Sequence, residues 1–355
     1  MNPAWSSPSG RCLRSSLSTL TGACKADRPP GLPAAGAGLY TVPFVVQPGP
    51  IPTVTSPLSA SPPRPNLFLI GAMKSGTTSL HALLAMHPQV FMCEPKEPCY
   101  FLDPDQLRRY WPEMWERRYW QSEAAYLELF ATAGDVPVIG ESSTDYSKLP
   151  RFAGVVDRLR AFNPQARFIY IMRDPVERTL SHYWHMVTHR AERRDMLTAL
   201  REEPHYLEVS HYARQLRPYL DAFSGERILT LTFEALQSDP LTTLQQVFAW
   251  LGVDPDFVPP DPDKRENATA ERIQQVSGRG LLHRLRHSRL WDQVGPWVPA
   301  GVRRLGVRLS VREVDRTGVD RQAAIDYLRP IQREQTEELG RLLGCDFPEW
   351  KTLYG

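Results

Sequence analysis

The chain has 355 residues, of which 42% are hydrophobic and 23% are charged, a composition typical of a globular protein with a sizeable core. This excludes a collagen-like, fibrous or wholly disordered chain. The 42 lysines and arginines nearly balance the 40 aspartates and glutamates, so a net charge of +2 provides no bulk attraction for nucleic acid or an anionic membrane. We expect no nucleic-acid partner, and any polyanion must bind at local positive charge.

The first part of the chain is proline-rich. Residues 1–65 hold 13 of the 33 prolines and show no sustained helical or strand periodicity. We therefore predict a disordered tail over residues 1–64, followed by one domain over residues 65–355. The start of the tail is rich in serine and has no acid before Asp27, which also fits an organellar transit peptide. We expect a plain extension and a cytoplasmic protein, with an organelle as the alternative.

Cysteine usage and hydropathy bear on the compartment. Five cysteines are an odd number without the CxxC pairs of metal sites, which favours a reducing compartment. No apolar run approaches the ~20 residues that a membrane-spanning helix needs. We expect no transmembrane segment.

From Pro65 onward, apolar runs alternate with amphipathic stretches, which is typical of a parallel sheet with helices on both faces. The apolar runs predict strands at Asn66–Ile70, Val90–Met92, Val136–Gly140, Arg167–Met172 and Arg227–Thr232. The stretches between and after them predict helices at Thr77–Met86, Phe152–Phe162, Pro175–Thr188, Tyr212–Phe223 and Leu241–Leu251. A last helix over Gln322–Leu343 should end at Gly344, with Trp350 and Tyr354 packing back onto the domain. The predicted fold class is α/β, a single P-loop-type domain with a central parallel sheet flanked by helices.

The first predicted strand runs directly into a glycine loop, Gly71–Ser79, and then into a helix. Such a loop presents backbone N–H groups and the positive end of a helix dipole to an anion, which predicts phosphate binding. The spacing of Gly71 and Gly76 matches the nucleotide P-loop, but the lysine has moved to Lys74, inside the loop. No clear strand ends in the aspartate that would share a magnesium ion with the loop. We therefore expect phosphate binding without a metal.

A second anion site follows the fourth predicted strand, where Arg173 stands at the carboxyl edge of the sheet. Asp174 can cap the next helix, Pro175 suits its first position, and Glu177 completes a capping-box spacing. Ser181 lies on the same helix face as Asp174 and can offer a hydroxyl to an oxyanion held by Arg173. Two such sites on one edge imply a ligand with phosphates at two places.

The two motifs resemble the 5′-phosphosulfate loop and the 3′-phosphate site of the sulfotransferases that use 3′-phosphoadenosine 5′-phosphosulfate, PAPS. The resemblance extends over about residues 65–350 and is strongest to the heparan-sulfate sulfotransferase branch and its bacterial relatives. The segments Lys96–Phe101, Gly140–Tyr146 and Leu343–Trp350 stand in the expected order. The resemblance implies transfer of a sulfuryl group from PAPS to a hydroxyl, less readily an amine, of a small-molecule or glycan acceptor, that is, a carbohydrate, lipid or secondary metabolite.

The resemblance also assigns residues. It implies that Lys74 contacts the bridging and departing phosphate oxygens. The donors around the 5′-phosphosulfate would be Lys74, Ser75, Gly76, Thr77, Thr78 and Ser79. Arg173 and Ser181 would hold the 3′-phosphate, and Arg279 lies where relatives close a loop over the adenosine.

Glu97 is the candidate general base, since it matches the glutamate of a Glu-x-x-Phe-Phe pattern that does this work in the resembled branch. The alternative is a solvated surface glutamate beside Lys96. Ser142 stands where the glycosaminoglycan enzymes often have lysine, and this difference weakens the case for a polysaccharide acceptor specifically. Glu141 and Asp145 can line the substrate cleft, but helix capping or turn formation by Asp145 fits equally well.

Several further patterns have two interpretations. The histidines at 182, 185 and 189 share a helix face, but without a fourth ligand we expect no metal there. The aromatic stretch 110–120 can line an acceptor pocket or pack in the core. For the arginine-rich stretch 279–312 we expect a solvated helix face, with a docking surface as the alternative. The functional alternatives are a P-loop kinase with an aberrant loop, which would need ATP and Mg²⁺, and a catalytically silent binding protein.

Overall fold

The computed structural model describes residues 63–189, 192–261, 272–276, 311–315 and 321–355. A parallel sheet of five strands has the order β2-β3-β1-β4-β5. Its strands are β1 (Leu67–Gly71), β2 (Val90–Met92), β3 (Val138–Ser142), β4 (Arg167–Met172) and β5 (Ile228–Thr232). A separate antiparallel pair, which the sequence patterns did not predict, consists of β6 (Arg272–Val276) and β7 (Val311–Asp315).

The helices surround this sheet. They are α1 (Thr77–Ala85), α2 (Pro104–Tyr110), α3 (Pro112–Trp115), α4 (Glu123–Leu127), α5 (Val155–Phe162), α6 (Pro175–His189), α7 (Met196–Glu202), α8 (His205–Glu208), α9 (Tyr212–Ala222), α10 (Phe233–Ser238), α11 (Pro240–Leu251), α12 (Arg321–Leu343) and α13 (Lys351–Tyr354). Short 3₁₀ turns lie at Tyr119–Gln121, Glu128–Phe130, Thr144–Ser147 and Gly225–Arg227. Every predicted strand and helix is present, and the largest shift of an end is three residues, at the start of α5. The α/β fold class is confirmed.

Both faces of the sheet are buried because successive side chains of a strand point to opposite sides. In β1, Leu67 and Leu69 belong to one core cluster, and Phe68 and Ile70 belong to the other. Helices α1 and α11 cover the first face, and α5, α6, α9 and α12 cover the second. Continuous burial of β1 explains why its sequence is apolar without alternation.

The strand order places three carboxyl ends side by side. Strand β1 pairs with β3 on one side, through Leu67 opposite Gly140, and with β4 on the other, through Leu67 opposite Arg167. The loops that follow β1, β3 and β4 therefore meet at one edge of the sheet. In open α/β sheets this edge is where ligands bind.

The C-terminal helix α12 ends as predicted. Gly344 has a φ of 68°, and its N–H donates to the carbonyl of Gly340 over 2.8 Å. Trp350 is fully buried and stacks on Phe347, with ring centroids 4.1 Å apart. Tyr354, in contrast, is 47% exposed, so the prediction that it packs onto the domain is wrong.

Helix α13 is attached to the start of α6. The backbone N–H of Leu353 donates to Asp174 Oδ2 over 3.0 Å, and the hydroxyl of Thr352 donates to Glu177 Oε1 over 2.7 Å. Residues that are distant in the sequence thereby hold the segment that carries Arg173.

The predicted tail over residues 1–64 lies almost wholly outside the described residues, so the division at residue 65 stays a prediction. Most of the arginine-rich stretch 279–312 also lies outside them, and its last residues begin β7 rather than a helix. In the part of the chain that the structure describes, no helix has both the length and the apolar character that crossing a membrane requires.

Candidate active site

The loop after β1 requires glycine at two positions. Gly71 has a φ of 149°, and a Cβ there would lie 2.2 Å from Ser147 Oγ. Gly76 has a φ of 88°, and a Cβ there would lie 2.7 Å from the ring of Phe233. Both backbone conformations disfavour any residue with a side chain. The loop therefore holds its backbone close to the 3₁₀ turn Thr144–Ser147 and to the start of α10.

Two features of the loop suit a bound anion. Gly76 is the N-cap of α1 and supplies no side-chain cap for the first N–H groups. Ser75 is fully buried, and within the described residues its Oγ has no hydrogen-bond partner. Leaving a buried hydroxyl unpaired costs about 1–3 kcal/mol, so the loop fits a site that a ligand oxyanion completes.

Positive charge is concentrated at this loop. Lys74 has a left-handed backbone with a φ of 70° and lies at the centre of the loop. Burial lowers the pKa of Lys74, and the charges of Arg173, Lys96 and Arg178 lower it further. An anion bound between these cations would relieve their repulsion.

Glu97 lies beside the loop and not on the open surface. Its side chain is 16% exposed, and its Oε2 accepts the backbone N–H of Thr144 over 2.9 Å. Its own N–H donates to the carbonyl of Ser142 over 2.9 Å, which fixes the turn after β2 against the end of β3. The alternative of a solvated surface glutamate is therefore wrong.

Lys96 extends from the same turn toward the start of α1. Its Nζ donates to Thr77 Oγ1 over 3.2 Å and to Thr78 Oγ1 over 3.3 Å. The same ammonium forms an ion pair with Glu97 Oε1 at 3.3 Å. The sequence patterns treated Lys96 only as a neighbour of Glu97.

Arg173 follows β4 and connects the two predicted anion sites. Its Nη1 donates to the backbone carbonyl of Lys74 over 3.4 Å, and its guanidinium carbon lies 4.9 Å from the centre of the Phe233 ring. Its other contact, with Glu177 Oε2 at 3.9 Å, is long. Within the described residues, two carboxylates lie near Arg173, those of Glu177 and Glu234, and neither forms a short ion pair with it, so its guanidinium can still pair with a ligand anion.

The start of α6 is capped almost as predicted. Asp174 Oδ1 accepts the N–H groups of Val176 over 3.0 Å and Glu177 over 3.3 Å. In a capping box, Glu177 would accept the backbone N–H of Asp174. Here Glu234 Oε1 accepts that N–H instead, over 2.9 Å, so the prediction of a capping box with Glu177 is wrong. Ser181 lies two turns further along α6 and is half-buried.

A second arginine of this segment, Arg178, is fully buried. Arg178 donates to Ser210 Oγ over 2.5 Å and to the backbone carbonyl of Tyr206. Burial lowers the pKa of Arg178 to about 10. His182 Nδ1 lies 3.5 Å from Arg178, whereas His189 is exposed, so the row of histidines runs from the core to the surface.

A buried carboxyl group lies at the end of β3. Glu141 is fully buried, and its oxygens accept hydroxyl groups from Tyr126 over 2.7 Å, Ser143 over 2.8 Å and Tyr146 over 2.9 Å. Burial raises the pKa of Glu141 to about 7 against the opposing effect of these hydrogen bonds. The expectation that Glu141 lines the substrate cleft is therefore wrong.

This burial predicts a pH-dependent stability. Because the folded pKa of Glu141 lies above its unfolded value, its contribution is full below about pH 4 and disappears as the pH rises through about 7. We expect wild-type protein to lose about 2 kcal/mol of unfolding free energy between pH 5 and 8 that Glu141→Gln does not lose. Urea unfolding of both proteins, with the exposed Glu128→Gln as control, measures this. Parallel pH curves for wild type and Glu141→Gln would contradict it.

In the described part of the chain, Glu97, Cys99 and Asp145 place possible metal-ligating atoms within 4.8 Å of one another. Asp145 Oδ1 accepts the ammonium of Lys148 over 2.6 Å, and Glu97 faces Lys96. A cation at this cluster would compete with both lysines. Asp145 is buried in the 3₁₀ turn Thr144–Ser147, so of its two interpretations the structure favours turn formation over a place in the substrate cleft. The expectation of a site without a metal stays a prediction.

The structure brings most of the predicted site residues to one edge of the sheet. Those at this edge are Lys74, Ser75, Gly76, Thr77, Thr78, Ser79, Glu97 and Arg173, with Ser181 on α6. Arg279 lies outside the described residues. Sequence reasoning missed Lys96 and Arg178. A signal for Arg178 was present, since it lies between Arg173 and Ser181 in the same motif.

Comparison with known proteins agrees with this site. A model described as the sulfotransferase family matches residues 65–257. The match includes the glycine loop, Glu97 and the Arg173 segment and spans more than half of the chain. The chain therefore belongs to the sulfotransferase family.

Among curated relatives, heparan sulfate glucosamine 3-O-sulfotransferase 3A1 of Mus musculus is 26% identical over 235 residues, which cover 63% of this chain and 55% of that protein. The bifunctional heparan sulfate N-deacetylase/N-sulfotransferase 4 of Mus musculus is 26% identical over 54% of this chain and 23% of that protein. The chain thus spans about a quarter to a half of the length of these relatives. A sulfotransferase structure from Alicyclobacillus acidocaldarius, at 24% identity, shares the fold with a TM-score of 0.58 over 81% of this chain and 99% of that one.

Proposed function

We propose that the protein is an enzyme that transfers the sulfuryl group of PAPS to a hydroxyl group of an acceptor. The observation that carries the proposal is the junction of two anion-binding centres, where Arg173 Nη1 donates to the carbonyl of Lys74 over 3.4 Å. The glycine loop suits a 5′-phosphosulfate, and Arg173 with Ser181 suits a 3′-phosphate. A nucleotide with phosphates at both places meets both centres at once.

The site residues divide the chemistry between them. The acceptor oxygen attacks sulfur, so an oxygen–sulfur bond forms while the bond from sulfur to the bridging phosphate oxygen breaks. Glu97 takes the acceptor's hydroxyl proton, and Lys74 neutralises the charge that grows on the departing phosphate. The products are a sulfate ester and 3′-phosphoadenosine 5′-phosphate, PAP.

No metal is proposed for this reaction. In P-loop enzymes the hydroxyl that follows the loop is a magnesium ligand. Here the corresponding hydroxyl, that of Thr78, accepts a hydrogen bond from Lys96, and so does the hydroxyl of the neighbouring Thr77. A kinase that uses ATP and Mg²⁺ would have to bring its metal against this ammonium, so the kinase alternative is not favoured.

The acceptor is proposed to be a carbohydrate, with a lipid or secondary metabolite as further possibilities. The relatives named for heparan sulfate favour a carbohydrate, whereas Ser142, in place of the lysine common in the glycosaminoglycan enzymes, argues against a polysaccharide. Arg117 of the aromatic stretch 110–120 donates to the carbonyl of Lys96 over 2.9 Å, which brings that stretch next to Glu97. Trp115 and Trp120 stack with centroids 5.3 Å apart and are partly buried, so they combine core packing with an aromatic surface near the base.

A cytoplasmic location is proposed from thiol chemistry. In the described ranges, Cys93, Cys99 and Cys345 form no disulfide. Cys93 and Cys99 are buried, and burial raises the pKa of both thiols. Unpaired buried thiols suit a reducing compartment.

Nucleotide selectivity tests the proposed donor. A ligand that binds only the native state stabilises it, by about 2.7 kcal/mol at a hundredfold excess over Kd. We expect thermal unfolding of the full chain to shift upward with PAP and to shift little with ADP or with ATP and Mg²⁺. The Arg173→Ala variant should lose most of the PAP shift, because it loses the cation for the 3′-phosphate.

The matched control is Arg160→Ala, which removes an exposed arginine of α5 and should keep the full shift. A wild-type shift that favours ATP and Mg²⁺ would contradict the PAPS proposal and restore the kinase. Equal PAP shifts in wild type and Arg173→Ala would remove Arg173 from the 3′-phosphate site.

A further inference from the structure

The ammonium of Lys96 lies at the mouth of the glycine loop, although the residue belongs to the turn after β2. Its side chain is 18% exposed, and it reaches two hydroxyls of the first turn of α1, Thr77 Oγ1 at 3.2 Å and Thr78 Oγ1 at 3.3 Å. These are the positions where α1 presents the positive end of its dipole. A cation placed there without a bound anion is repelled by the dipole and by neighbouring Lys74.

The partners of Lys96 use its full hydrogen-bonding capacity. A lysine ammonium has three N–H donors. In the described structure they are directed to Thr77, Thr78 and Glu97 Oε1, the last at 3.3 Å. A fourth acceptor can bind only if one of these partners is released.

We propose that Lys96 is a donor-binding residue that contacts the 5′-phosphosulfate end of the nucleotide and exchanges its ion pair with Glu97 for that contact. The inference deepens the proposed function and rests on it. Glu97 is then released from its ion pair with Lys96 only when the donor is bound.

The exchange has a geometric basis in Glu97. Its Oε2 keeps the backbone N–H of Thr144 at 2.9 Å, so the carboxylate stays in place when Lys96 leaves. Its Oε1 retains only the longer contact with Thr144 Oγ1, at 3.4 Å, and becomes available to an acceptor hydroxyl. A phosphosulfate carries more negative charge than a single carboxylate and lies at the helix terminus, so it competes well for the ammonium.

A purely structural role is the alternative, in which Lys96 only ties the turn after β2 to α1. The two roles differ in ligand dependence. A structural tie supports the whole site, so its loss weakens every nucleotide alike. A contact to the 5′ end matters only for ligands that have a 5′-phosphate.

The experiment compares two ligands by titration calorimetry on the full chain, PAP and adenosine 3′-phosphate. Since hydrogen bonds to charged groups are strong, we expect Lys96→Met to weaken PAP binding by about tenfold to a hundredfold and to leave adenosine 3′-phosphate within about twofold of wild type. Lys96→Arg should recover part of the PAP affinity. Lys351→Met, which removes an exposed lysine of α13, is the matched control and should change neither.

Equal losses for both ligands, or no loss for either, would overturn the inference while leaving the proposed function intact. Wild-type protein that fails to bind PAP would overturn both. If Lys96→Met does not fold, Lys96→Gln keeps a hydrogen-bond donor for Thr77 without the charge and is read by the same comparison.

Discussion

Replacing Glu97 by Gln is expected to reduce turnover by about a hundredfold to ten thousandfold, the range for loss of a general base. The amide has nearly the shape of the carboxylate and can still accept the N–H of Thr144, but it cannot take the acceptor's proton. PAP binding should therefore change little. The measurement is release of PAP from PAPS with the best acceptor found in a panel of glycan, lipid and phenolic hydroxyls.

The control for this variant is Glu128→Gln, which removes an exposed carboxylate far from the loop in sequence. Near-normal turnover in Glu97→Gln would remove the base assignment. Wild-type protein that binds PAP but turns over no acceptor of the panel would instead favour the catalytically silent binding protein.

Replacing Lys74 by Ala is expected to lower kcat by about a hundredfold to a thousandfold, with a smaller rise in KM for PAPS. The reason is that negative charge on the leaving phosphate grows toward the transition state, so its contact with the ammonium of Lys74 is strongest there. Steady-state kinetics that separate kcat from KM measure this.

Lys351→Ala serves as the control for Lys74, and Lys74→Arg should keep part of the rate because it keeps the charge. An unchanged kcat with only a higher KM for PAPS would mean that Lys74 binds donor and transition state equally, and the leaving-group role would be lost.

Elements with a strong local pattern could be predicted from the sequence. Strand β1 and the loop Gly71–Ser79 are read from an apolar run and two glycines, and α6 is read from Asp174 and Pro175. Their positions in one sheet follow from general rules for parallel strands. The sequence alone therefore suffices to assign the glycine loop and Arg173 to the same edge of the sheet.

Other features depend on contacts between distant parts of the chain. Lys96 looks like an ordinary surface lysine in sequence, and only the packing of the turn after β2 against α1 brings its ammonium to Thr77 and Thr78. Glu141 resembles a cleft acid until Tyr126 and Tyr146 enclose it. No local periodicity encodes such contacts. Short helices such as α3, with four residues, are equally difficult because they hold hardly one turn of pattern.

The attachment of α13 to Asp174 also has a consequence for biosynthesis. Asp174 lies almost at the middle of the chain, yet among the residues that the structure describes, the partner of its Oδ2 is the N–H of Leu353. During translation the glycine loop and β4 emerge from the ribosome long before that partner exists. The nucleotide site acquires its complete support only after Thr352 and Leu353 have been made, so a nascent chain should reach donor affinity late and not in the order in which its motifs are synthesised.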